Sequence, residues 1–291
     1  MSDELAGHVR TAFQDTKTPL WLPELTPELV DRTWREMDRD LHLTPADYGT
    51  VRVLRRNRLE RRQIVVSLGG ARPNQRGCDP IPVELLPLEI LEQLGGSELR
   101  LFEVDEILTD RVSAPVEEAL GILSCVPSVL QTVCTLVRAL HLIDTGDDET
   151  DVSFSAPTMP FSAFVSVPGL NAEAGSLRVA EALLHEAMHL QLTMVEGIVP
   201  LVTSSGATYF SPWRNEFRTA QGVLHALYVF RVIESFLSIL SSTDQDYREL
   251  RSNAIERSAV IASQVREIAD FGRCPDLTPD GAALVRRLLA L

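Results

Sequence analysis

Leu183-Leu184-His185-Glu186-Ala187-Met188-His189-Leu190 is the stretch whose reading decides this chain. Leucine, alanine, methionine and glutamate are strong helix formers, and the surrounding pattern predicts a helix from about Glu173 to Ile198. Residues four apart on a helix lie about 40° apart around its axis, one turn above each other. His185 and His189 therefore project from one face and offer two imidazoles to a single divalent ion. Glu186 sits beside them, placed to act on a metal-bound water or to hydrogen-bond a ligand from behind. Leu183, Leu184, Leu190 and Leu192 make both flanks apolar, and a helix apolar nearly all round is a buried helix. Two histidines and a glutamate in such a place need a purpose, because unpaired polar groups in a core are costly.

The third ligand separates the classes that use this H-E-x-x-H pattern. The metzincin extension needs a glycine and a histidine where Leu192 and Val195 stand, so that subclass is excluded. A thermolysin-like site needs a glutamate on a later helix. Glu216 and Glu234 are available, although neither stands in the Asn-Glu-x-x-Asp setting of those peptidases. His225 is the only histidine after His189. A second helix is expected from Pro212 to Leu240, with Ser211 as its cap and Pro212 at its first position. On that helix Arg214, Arg218, Gln221 and His225 fall within a sector of roughly 60°. The stripe combines one metal-ligand candidate with two guanidiniums able to grip a carboxylate, and Gly222 beside it allows close approach.

Outward from these helices the chain reads as predominantly α, in an α+β arrangement with a few short strands mainly in its N-terminal half. Short helices are expected up to about Leu43, one of them starting at Thr26-Pro27-Glu28 with Thr26 as cap. Val51–Leu54 and Gln63–Leu68 read as strands forming a hairpin or a sheet edge. Ala71–Pro82 reads as a loop, Leu85–Leu94 as a helix and Leu99–Val104 as a strand. Pro115 to about His141 has a helical pattern with a bend near Pro127. Asp144–Asp151 is an acidic loop and a candidate junction, Phe161–Val167 a strand, and helices are expected over Asp244–Phe271 and Pro279–Leu289. The division is thus a mixed α/β region, 1–145, and a helical metal-binding region, 146–291, packed as one unit.

The chain has 291 residues, of which 45% are hydrophobic, enough for a substantial core. Its net charge of −14 argues against sequence-independent binding of nucleic acid or of anionic membranes. The longest apolar stretch, Val126–Ile143, is interrupted by Gln131 and Arg138, so no bilayer span is expected. The start, MSDELAGHVR, does not read as a signal peptide. Cys78, Cys125, Cys134 and Cys274 are scattered and read as reduced thiols of a cytoplasmic protein.

HEAMH at 185–189, followed about twenty residues on by YFSPWRNEFRTAQGVLHALYVF, resembles the HEXXH-motif family of peptide-modification proteins. These are often encoded beside ribosomally made peptides, and the resemblance covers roughly Ser153 to Leu240. It implies a non-haem iron(II), 2-oxoglutarate-dependent oxygenase that hydroxylates β-carbons in a precursor peptide; a bacterial origin is expected separately, from Lys17 being the only lysine among the basic residues. On the resemblance His185, His189 and His225 hold the iron, and Arg214 or Arg218, with Gln221 alongside, binds the co-substrate carboxylate. Glu186 then orients rather than abstracts a proton. Where the family pattern has proline after the second arginine, this chain has Thr219. Two other readings stand beside this one. One is a Zn2+ hydrolase with Glu186 as general base; the other is a non-catalytic helical peptide-binding protein.

Overall fold

The computed structural model describes residues 2–40, 63–68, 80–86, 100–156, 159, 161–203, 206–242 and 248–290. Helices predominate over strands, in the α+β manner expected. The chain divides into two units, one of Val30–Leu190 and one of Met1–Leu29 with Gln191–Leu291. The expected junction at Asp144–Asp151 is not the division. It lies inside the first of these units, between two strands of one sheet.

In the Val30–Leu190 unit β1 (Gln63–Leu68), β2 (Ile81–Leu85), β3 (Arg100–Leu101), β4 (Ala139–Asp144), β5 (Ser153–Phe154) and β6 (Ser162–Ser166) form one sheet. Its order is β1-β2-β4-β6-β5, with β3 also pairing β4. The β2/β4 and β4/β6 pairs are parallel, and the other three are antiparallel. Every residue of β6 is buried, as are the first five of β4, the pattern of central parallel strands covered on both faces. The unit also holds α3 (Val104–Ile107), α4 (Asp110–Leu123) and α5 (Pro127–Leu136).

Three expectations fail here. The helix read through His141 ends at Leu136, and Ala139–Asp144 is a strand paired with β6 along its length. A short apolar run satisfies helix and strand templates alike, and pairing with a distant partner decided between them. Ile81-Pro82-Val83-Glu84-Leu85, read as the end of a loop and the start of a helix, is β2 for the same reason. The strand read over Leu99–Val104 shrinks to Arg100–Leu101, because α3 begins at Val104. Val51–Leu54, Cys78 and most of the helix read over Leu85–Leu94 lie outside the described residues. Cys134 is disulfide-bonded, which corrects the reading of four reduced thiols, whereas Cys125 and Cys274 stand outside any disulfide.

The other unit contains α1 (Ser2–Gln14), α7 (Ala220–Ser242), α8 (Arg248–Glu267), α9 (Pro279–Leu289) and a hairpin of β7 (Thr208–Ser211) and β8 (Glu216–Thr219). Two helices cross the division: α2 (Thr26–Asp40) and α6 (Gly175–Glu196). By length and composition α7 is apolar enough to cross a membrane, which the reading centred on Val126–Ile143 overlooked. Val223, Leu224, Val229, Phe236 and Leu237 on α7 are fully buried, as in a core helix.

A buried polar network fixes residues 12–26 in this unit. The Tyr228 hydroxyl lies 2.9 Å from the Leu20 carbonyl oxygen and also bonds Gln191 Oε1. Gln191 Nε2 donates to the Trp21 carbonyl (2.8 Å) and to Thr26 Oγ1 (2.6 Å). Thr26 thus lies within α2 and donates to the Leu22 carbonyl, rather than serving as a cap. Arg287 reaches the carbonyls of Ala12 and Thr18. Buried acceptors left without their donor cost about 1–3 kcal/mol each. Tyr228→Phe should therefore lower stability by about that amount, read as a shifted urea midpoint at unchanged slope.

Candidate metal centre

The site is built on α6, which runs without an internal glycine or proline from Gly175 and stops before Gly197 and Pro200. Its first turns are fastened within their unit. Arg178 grips the Asp151 carboxylate from Nε and Nη2 and donates to the Asp148 carbonyl, and Ser176 donates to Glu118. Between Leu183 and Leu190 every residue is buried except His185 and His189, which are partly open. Over this segment the helix is closed to solvent at all but its two imidazoles.

The two rings meet edge to face with Nε2 atoms 3.1 Å apart. One ion about 2.1 Å from each nitrogen bridges such a span, so this donor pair fits a divalent metal. Imidazole nitrogen suits zinc and iron alike, so the pair by itself does not choose between them. Among the described residues no group of three or more His, Cys, Asp or Glu side chains is close enough to hold a metal ion.

Glu186 is 2% exposed. Its Oε1 accepts a 2.7 Å hydrogen bond from Ser153 Oγ and lies 3.9 Å from His185 Nε2. Burial pushes the carboxyl above the usual glutamate range, while the hydroxyls of Ser153 and Ser155 draw it back down. Neither serine was singled out from the sequence. The signal was present in Ser153-Phe154-Ser155, whose alternation puts both hydroxyls on one side and the ring on the other.

The arginine stripe is not a helical stripe. Residues 208–219 form the β7–β8 hairpin, with Tyr209 opposite Arg218 and Phe210 opposite Phe217, and α7 starts only at Ala220. Pro212-Trp213-Arg214-Asn215 is its turn, with Asn215 at φ 53°, a left-handed conformation that asparagine tolerates. Ser211 and Pro212 therefore close a strand and open a turn instead of starting a helix. Arg214 is exposed in the turn. Arg218 is exposed on β8, with Nε 3.6 Å from Glu216 Oε1 and its side chain passing over Gly222. Thr219, the departure from the family pattern, accepts from the Gly222 amide and so caps α7.

Gln221 and His225 do share a face of α7. Both Nε2 atoms lie 2.9 Å from Glu196 Oε2, so within their unit these three residues form one cluster. The other Glu196 oxygen is shielded from solvent without a hydrogen-bond partner. Glu196 was not singled out from the sequence either, although its position seven residues after His189 puts it on the histidine face of the same helix. Of the two carboxylates weighed as ligands, Glu216 is exposed on β8 and Glu234 pairs with Arg231 one turn away. No protein-family model matches the chain, and no curated protein matches it.

Proposed function

We propose that this chain is a metal-dependent enzyme, a non-haem iron(II), 2-oxoglutarate-dependent oxygenase that hydroxylates a β-carbon in a ribosomally made precursor peptide. The metal part of the reading is carried by one observation: two imidazole nitrogens 3.1 Å apart at the only open points of a buried helix segment. The oxygenase part rests on the motif resemblance. It draws support from Glu186, whose carboxylate is engaged by serine hydroxyls and suits orientation better than proton abstraction.

His185 and His189 would hold the iron, whose role when bound is to activate oxygen at the expense of 2-oxoglutarate. Glu186, fixed beside them, accepts a hydrogen bond from Ser153 and keeps a carboxyl oxygen 3.9 Å from His185 Nε2. On the resemblance, Arg214 or Arg218 would bind the co-substrate carboxylate through its exposed guanidinium. The resemblance assigns His225 as a further ligand, and His225→Ala should then weaken metal binding. Unaltered metal affinity in that variant would remove the assignment.

A zinc hydrolase is the second reading, favoured by the raised carboxyl of Glu186, since a general base works best when tuned upward toward neutrality. Metal analysis of protein purified without oxygen, paired with succinate release from 2-oxoglutarate, separates the two. The expected result is iron retention with oxygen-dependent succinate formation. Zinc as the sole metal, with no succinate even when a cognate peptide is present, would overturn the oxygenase.

A further inference from the structure

We propose that Ser153 and Ser155 are positioning residues for the HEXXH glutamate, a two-hydroxyl clamp that sets the orientation of Glu186 beside the imidazole pair. This assignment rests on the metal reading of His185 and His189.

The clamp follows from how β5 is held. Ser153 pairs with Val165 and Phe154 with Phe164 on β6, so the backbone of this short edge strand is fixed by its neighbour. Just before it, the Val152 amide donates to Ser166 Oγ (3.0 Å), and the Ser166 amide donates to the Val152 carbonyl (2.8 Å). The Phe154 ring stacks on Phe164 with centroids 4.3 Å apart and planes within 6° of parallel, and Phe164 stacks in turn on His141. Side chains alternate along an extended segment, so packing Phe154 against Phe164 turns Ser153 and Ser155 to the opposite side. There the Ser153 hydroxyl donates to Glu186 Oε1 at 2.7 Å, and the Ser155 hydroxyl also favours the charged form of that carboxyl.

Satisfying a buried carboxylate would by itself explain one hydroxyl, since polar groups so placed require partners. The geometry goes further. The oxygen that accepts from Ser153, Oε1, is the one 3.9 Å from His185 Nε2. Its lone pairs are thereby divided between the serine and the space beside the imidazoles. Without the hydroxyls, Glu186 keeps its place on α6 but loses the contacts that set its side-chain torsions. Partners behind a ligand pair tune metal affinity and ligand orientation, commonly by ten- to a hundredfold.

The test uses cobalt(II) as a visible probe of the full-length protein, with chelator competition for affinity and no turnover required. Ser153→Ala with Ser155→Ala should weaken cobalt binding about tenfold or more and shift the cobalt absorption bands. Ser153→Thr, which keeps the hydroxyl on a residue suited to a strand, should restore both in the Ser155→Ala background relative to the double alanine variant. Should the double variant not fold, Ser153→Ala alone against Ser153→Thr makes the same comparison. Unchanged affinity and bands in the alanine variants would overturn the clamp while leaving the metal site standing. Absence of cobalt binding by the unaltered chain would overturn the metal reading, and the clamp with it.

Discussion

Alanine in place of His185 or His189 should lower affinity for iron(II), cobalt(II) and zinc(II) by more than about a hundredfold, because each removes a direct nitrogen donor whereas supporting partners alone cost ten- to a hundredfold. The fold should survive. Both side chains are partly open, and alanine is the better helix former at either position. The circular dichroism spectrum of the metal-free variants should therefore match that of the unaltered protein. Equilibrium dialysis with metal quantification gives the answer directly. Full metal retention by either variant would mean that the convergence of Nε2 atoms on α6 is a packing feature and that the chemistry lies elsewhere. Loss of metal with the fold intact ties the motif to the ion.

Glu186→Gln should divide the two enzymatic readings. The amide has nearly the same shape and still accepts from Ser153 through its carbonyl, so the surroundings persist. In the oxygenase, where Glu186 orients, succinate formation should persist at a rate reduced by about tenfold. In a zinc hydrolase the loss of the base should cost about 10²–10⁴ in kcat with little change in KM. The same variant carries a stability signature. The carboxyl is raised in the folded state by burial, so its contribution to stability is fully present below the unfolded glutamate pKa. That contribution is lost as pH rises through the folded value. Glutamine does not ionise, so the metal-free variant should gain on the unaltered protein between acid and neutral pH in parallel denaturant titrations. A constant difference across that range would show that Glu186 does not titrate differently in the folded protein.

Where the structure departs from the sequence reading, the cause is pairing over distance. The helix limits at Gly175–Glu196 and Pro279–Leu289 follow from patterns contained within each segment, and they were read to within two residues. Ala139–Asp144 and Ile81–Leu85 are equally apolar, but they are strands because β4 lies between β2 and β6. The hairpin at 208–219 shows the same effect at shorter range. Its arginines match a helical wheel, yet Tyr209-Phe210 and Phe217 pair across a turn that Asn215 can close. On a strand and a turn, Arg214 and Arg218 no longer share a helical face with His225. Gln221 and His225 keep their common face, and Glu196 is what they share.

What the sequence by itself determined is the α6 element: a buried helix with two imidazoles on one face, since the 3.6-residue period and the apolar flanks are local properties. Only the tertiary structure decided the surroundings of Glu186. Ser153 stands 33 residues earlier in the chain and reaches the carboxylate through the pairing of β5 with β6. The motif names a glutamate beside two histidines. Whether that glutamate stands open to solvent or buried under serine hydroxyls depends on contacts that no spacing rule contains, because they form only when distant segments meet.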